Sequence, residues 1–392
     1  MHQNGSSTPV FGNGGGGQQH HARRDTYPFK KSHRSKPRRW PLVLRFIKGA
    51  IHSAILIPLI CHALFTVLIV CLDKYVYDSL GLPPTIIPSL SIVVGLILVF
   101  RNQTSYNRFW DGRNALTSIN TAVRNLTRTI LVNSFYPNRP LTSSERHDIE
   151  RTVRVLIAFP FAVKNYLRAE WTSSWPDQLQ QPPYLDTAAA ESASDNGCPS
   201  PKVEYLGLLP SGFEFLESDG LSVPLQLSFF VEGFIKRGLE RGWYDAPGAS
   251  QMGNQVSALT DAYGKMETIK LTPIPIAHLI HQKQVLALFG CVLPFAMVDD
   301  MGWWAVPIVS LVIFTLYGIE GIGSQLEDPF GYDRNDIKMD AIVDDERTEI
   351  EAILNEWRRV TEVSDEGVDV NGNSNEVGRT AVFRRREMFI GK

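Results

Sequence analysis

The sequence predicts an all-α, multi-pass membrane protein with four transmembrane helices per subunit and a helical cytosolic region. The first observation behind this is Pro83–Phe100, an 18-residue stretch without a formal charge. At about 1.5 Å per helical residue it spans roughly 27 Å, close to the hydrocarbon thickness of a bilayer. The second is that three further apolar stretches, residues 49–72, 274–298 and 303–322, are long enough to do the same. The third is the placement of basic residues beside them, which is consistent with one direction of threading.

Residues 1–41 form a basic tail rich in Gly, Gln and His that cannot bury a core, and the tail is expected to be disordered. Residues 1–48 hold ten Lys or Arg against the single acid Asp25. Such a run marks either nucleic-acid binding or retention on the cytosolic side of a membrane. An apolar segment follows it directly, so retention is the expectation and nucleic acid is not an expected partner. The first apolar run comes late and is too long for the core of a signal peptide, so it is expected to persist as a span.

The first span, 49–72, contains His52, Pro58 and His62, and Pro58 is expected to kink it. Asp73, Lys74 and Asp78 lie in a short link to the second span, 84–100. Residues 145–169 put Val153, Leu156, Ile157, Phe161 and Val163 on a broad apolar face, the pattern of a packed cytosolic helix. Residues 172–202 read as a disordered insertion. Leu221–Leu239 is apolar enough to suggest a span, but Pro224, Gln226, Glu232, Lys236 and Arg237 favour a cytosolic helix.

The third span, 274–298, opens with His278, His281 and Lys283. Asp299, Asp300, Met301 and Gly302 are expected to turn into the fourth span, 303–322, with Trp303 and Trp304 at the interface. Residues 42–345 form the main domain, and 346–392 a C-terminal helix followed by a disordered tail. The basic N-terminal tail, the five arginines of 101–128 and the acidic 299–302 turn together place both termini in the cytosol.

No P-loop, GxGxxG, HExxH or nucleophile-elbow motif is present, so the chain is not expected to be an enzyme. His278 and His281 share a helix face but lack a third ligand, and no metal site is expected. Gly318, Gly321 and Gly323 suit close helix packing better than a phosphate cradle. Glu320 either snorkels or pairs with an arginine of another helix. The four cysteines, Cys61, Cys71, Cys198 and Cys291, have neither metal nor disulfide-framework spacing and are expected to be small buried hydrophobes.

The second span carries the main candidate site. Ile92, Leu96 and Phe100 recur at i, i+4 and i+8 and so stack on one helix face. Such a stripe is either packing or lipid-facing surface, or a hydrophobic constriction that gates by dewetting. Ser89, Ser91 and Gly95 would let copies of this helix approach closely. Four charged residues follow: Arg101, Arg108, Asp111 and Arg113. Arg101 and Arg108 either concentrate anions at an inner mouth or pair with Asp111 and cytosolic acids.

These residues together resemble the bestrophin family of anion channels, in the branch closer to bacterial and plant members. The resemblance is carried by FRNQTSYNRFW (Phe100–Trp110), TPIPIAHLIH (Thr272–His281), LPFAMVDDMGWW (Leu293–Trp304) and GIEGIGSQLEDPFGYDRND (Gly318–Asp336). It covers residues 42–170 and 203–345. It implies a homopentamer in a lipid bilayer that passes chloride or other small anions passively, without a cofactor. One central pore would be lined in a narrow neck by the second helix of each subunit, and the family's neck positions fall on Ile92, Leu96 and Phe100. Animal members hold calcium in an acidic cluster after an Asn-Pro-Phe-Gly segment. Here Asp328–Gly331 takes that place, and Arg334 and Asn335 interrupt the cluster, so calcium activation is not expected. The plasma membrane is the expected location. Two rivals remain open: a cation-selective pore of the same architecture, and a non-conducting membrane scaffold in which 144–270 binds partners.

Overall fold

The computed structural model describes residues 52–76, 80–134, 141–169, 205–210, 212–333 and 335–366. The basic tail 1–41, the insertion 172–202, Asp78, Cys198, Arg334 and the tail beyond 366 lie outside the described residues. All regular structure among the described residues is helical. Eight α-helices lie among the described residues: α1 (His52–Tyr75), α2 (Ile86–Asn133), α3 (Ser143–Leu167), α4 (Val223–Glu240), α5 (Ala246–Leu271), α6 (Ile276–Met301), α7 (Ala305–Gln325) and α8 (Met339–Glu366).

The helices form two layers with separate cores. In the apolar layer, α1 packs on α6 and α7, and the first third of α2 packs beside them. Its core joins Val94 and Leu98 of α2 to Leu286, Phe289 and Leu293 of α6 and to Val309 and Ile313 of α7. Large apolar side chains also point outward, among them Leu56, Ile60, Leu64 and Leu68 of α1 and Leu311 of α7. Patches of this size are not left facing water on soluble proteins, and they suit helices surrounded by lipid.

The α6–α7 pair is an antiparallel hairpin. Gly302 takes φ 50°, ψ −125° at the bend, a backbone conformation that a side chain would oppose. Asp299 and Asp300, expected in the turn, instead remain in the last turn of α6, and Gly302–Trp304 forms a short 3-10 turn before α7. Further down the hairpin, a Cβ on Gly290 of α6 would meet Ile313 of α7 at 2.8 Å. Further still, Lys283 Nζ lies 3.9 Å from Glu320. Glu320 therefore faces a lysine of the neighbouring limb, where the sequence suggested an arginine.

The second layer is built around α3. Thr142 caps it with a reciprocal box: Thr142 Oγ1 accepts from the Glu145 amide at 3.3 Å, and Glu145 Oε2 accepts from the Thr142 amide at 3.0 Å. Val153, Leu156, Ile157, Phe161 and Val163 are all buried, as the pattern predicts. The intervening Val155, Ala158, Phe159 and Ala162 are buried too, so residues 155–165 of α3 are enclosed on every side, while its first turns remain partly exposed. Each fully buried Leu, Val or Phe here contributes about 1.5–3 kcal/mol. Helix α4 packs on α3 through Leu227, Val231 and Phe234, which makes Val223–Glu240 part of this core and not an apolar-layer helix. Arg237 of α4 and Arg241, which caps it, donate to Asp148 of α3 at 3.0 and 2.7 Å.

Helix α8 closes the layer with Ile350, Leu354 and Trp357 buried and Arg358 bridging to Glu150 at 2.6 Å. It begins at Met339, so the domain boundary expected at 345 falls inside one helix. Asp73 and Lys74, expected in a link, belong to the last turns of α1. Cys61 is exposed and Cys71 and Cys291 are half-buried, because they sit on outward faces of the apolar layer and not in its core.

Candidate functional site

Helix α2 has 48 residues, about 72 Å at 1.5 Å each, and it is continuous through both layers. Pro88 lies in its first turn, where a missing N–H is tolerated, and no proline interrupts it afterwards. One face of its apolar third is buried through Val94 and Leu98. The opposite face presents Ile92 at 71%, Leu96 at 54% and Phe100 at 62% exposure. The predicted stripe is therefore a ridge of large side chains turned away from the rest of the subunit.

The arginines behave differently. Arg101 is only 3% exposed, and its Nη2 donates to Glu327 Oε2 at 2.8 Å. Its alkyl stem lies against Gly323 of α7, where a Cβ would come within 3.5 Å of Arg101 Cγ. Arg108 donates to three backbone carbonyls: Glu327 at 3.0 Å, Thr272 at 2.7 Å and Ile269 at 2.6 Å. Of the two readings the sequence left open for these arginines, the observed geometry is pairing and backbone bonding. Arg113 donates to Thr117 on its own helix at 2.7 Å. Asp111, suggested as a partner for these cations, is exposed and makes no ion pair or hydrogen bond among the described residues.

Glu327 is the residue that sequence reasoning missed. It binds Arg101 through its carboxylate and Arg108 through its carbonyl, fastening α2 to the end of α7. It lies within the GIEGIGSQLEDPFGYDRND stretch, but more than 200 residues separate it from its partners, and no local pattern announces the pair.

The segment after α7 folds back on the same region. Phe330 is fully buried against Gly112 of α2, and Arg168, which caps α3, donates to its carbonyl at 3.2 Å. Asp328 pairs with Lys270 at 2.6 Å, and Asp336 accepts from the Asp333 amide at 2.7 Å. Burial pushes the Asp336 carboxyl above its ordinary value, opposed by that amide bond. His278 and His281 are both exposed, and no group of three or more potential metal ligands occurs among the described residues.

A long helix with an outward apolar ridge is thus fastened to the end of a helical hairpin by the buried Arg101 and the half-buried Arg108. The family model described as Bacterial/Fungal Bestrophin protein matches residues 31–352. The chain belongs to the bestrophin family. Among its relatives, a voltage-dependent anion channel-forming protein of a Nostoc strain is 33% identical over 77% of this chain and 88% of its own length. A protein of the same description from Synechocystis is 30% identical over 83% of this chain and 95% of its own length. A variant of a bacterial bestrophin homologue from Klebsiella pneumoniae superposes with a TM-score of 0.61 at 24% identity, covering 78% of this chain and 99% of that one. Another structure of the Klebsiella pneumoniae homologue gives 0.62 at 23% identity, covering 77% and 98%. These solved structures share the fold. Family and apolar helices together make this bestrophin a membrane protein.

Proposed function

We propose that this bestrophin is a passive channel for small anions, chloride among them, and that copies of α2 line its pore. The observation that carries this is the exposure of Ile92, Leu96 and Phe100 on the face of α2 opposite its buried one. A single helix cannot enclose a path, so the reading requires a ring of subunits, and the family resemblance suggests five. Stacked apolar rings strip hydration from a passing ion without replacing it, which creates a dewetting gate. The names of the Nostoc and Synechocystis relatives support anions as the cargo.

In this reading α1, the first third of α2, α6 and α7 cross the bilayer, with both termini in the cytosol and the plasma membrane as the site of action. Residues 42–345 supply the channel domain. Arg101 and Arg108 shape the inner mouth by holding α2 in place. Purified full-length protein in liposomes should release chloride down its gradient. Absence of flux from correctly assembled protein would overturn the channel reading in favour of a scaffold. Reversal potentials in asymmetric salt decide between anion and cation selectivity.

A further inference from the structure

The exposed face of α2 does not end at Phe100. Asn107, Asp111, Asn114 and Ser118 follow it, and all four are exposed. At about 100° per residue they fall within roughly 40° of the Phe100 direction, so they continue the ridge beyond its apolar part. Asp111 is the only charged residue of the four. The next exposed charge on α2 is Arg128, about 25 Å further along and turned roughly 80° from the Phe100 direction.

The two signs of charge near the ridge are treated oppositely. Arg101 is buried against Glu327, and Arg108 is held by three carbonyls. Asp111 is exposed, and nothing among the described residues neutralises it. Asn107 and Asn114, one turn to either side, offer dipoles but no compensating charge.

We propose that Asp111 is a selectivity-determining residue of the conduction path. The proposal rests on the reading of α2 as the pore-lining helix. In a ring of subunits, each copy places one carboxylate about 16 Å inward of Phe100 along the helix. Carboxylates gathered around one axis attract cations and repel anions. The apolar neck then sets the barrier that any ion meets, while the Asp111 ring lowers the preference for anions.

The test uses the purified full chain in planar bilayers under asymmetric potassium chloride. Asp111→Asn should move the reversal potential toward the chloride equilibrium potential, and Asp111→Lys should move it further. The expected change in anion-to-cation permeability ratio is about threefold or more. Since Asp111 is exposed and unbonded, neither change should disturb folding. Asp111→Cys, modified after assembly, makes the comparison within one protein, with unmutated channel as the control for native cysteines. An anionic thiosulfonate reagent should restore the original potential, and a cationic one should mimic lysine. A conducting channel whose reversal potential ignores all these changes overturns the role of Asp111 and leaves the pore reading standing. An unmutated protein that passes no ions overturns the pore reading, and Asp111 with it.

Discussion

Both carboxylate oxygens of Glu346 are buried on α8, in a side chain 1% exposed, and neither has a hydrogen-bond partner. Burial disfavours the charged form and pushes the group up to about 8; Arg124 opposes this and Glu349 adds to it. Arg124 is already engaged by Glu349 at 2.8 Å, which limits its help. Glu346 is therefore protonated at neutral pH in the folded state and ionised in the unfolded one. For a carboxyl raised in this way, stability is highest below the unfolded value near 4.5 and falls as pH rises toward about 8. Thermal unfolding of the assembled protein should show a loss of roughly a few kcal/mol across that window, and Glu346→Gln should flatten it. A Gln variant with an unchanged pH profile would rule out Glu346 as the source. Sequence offers no warning of this residue, because Asp344, Asp345, Arg347 and Glu349 around it make the segment look fully solvated.

At the scale of elements, α2 meets the segment after α7 at Gly112 and Phe330. A Cβ on Gly112 would lie 2.9 Å from Phe330 Cζ and 3.0 Å from Cε1, and the ring is enclosed. Alanine is the better helix former by about 1 kcal/mol, but the overlap opposes that gain. Gly112→Ala should cost about 1–3 kcal/mol in thermal unfolding, and adding Phe330→Leu should recover part of it. If the double variant is no more stable than the single one, the contact is not the cause. The apolar third of α2 was legible because its length and lack of charge speak directly. The continuation to Asn133 was not, since polar helical sequence looks the same whether it extends a rod or begins a new one. Of the expected turn Asp299–Gly302 only Gly302 makes the bend, because the acidic pair that suggests a turn in sequence completes α6 instead.

At the scale of the whole molecule, the neck assignment and ordinary packing predict opposite results. If copies of α2 line the pore as proposed, replacing Ile92, Leu96 and Phe100 together with Ala would widen the neck in every subunit at once. Currents should rise and any gating at the neck should weaken in single-channel recordings. If the three side chains were core, truncation would instead cost about 2–5 kcal/mol at each buried position and reduce assembly. Assembled triple-Ala protein with unchanged conductance would refute the neck. The ridge itself could be read from i, i+4, i+8 spacing, but its exposure could not, because lipid, core and pore all accept the same side chains. Which arginines are held inside was likewise hidden, since Glu327 meets Arg101 only after the chain has folded back through two layers.

The unbroken course of α2 from Ile86 to Asn133 limits how a ring of such subunits could open. A stiff rod has no hinge at which one end might swing independently, so it leans as a single lever. A tilt of about 5° about a fulcrum near Gly112 would displace Leu96, some 24 Å away, by about 2 Å. The far end near Asn133 would swing by a similar distance in the opposite sense. Dilation at the apolar rings would thus be geometrically tied to constriction at the opposite mouth, and a partner that grips the Asn133 end would hold the aperture from a distance.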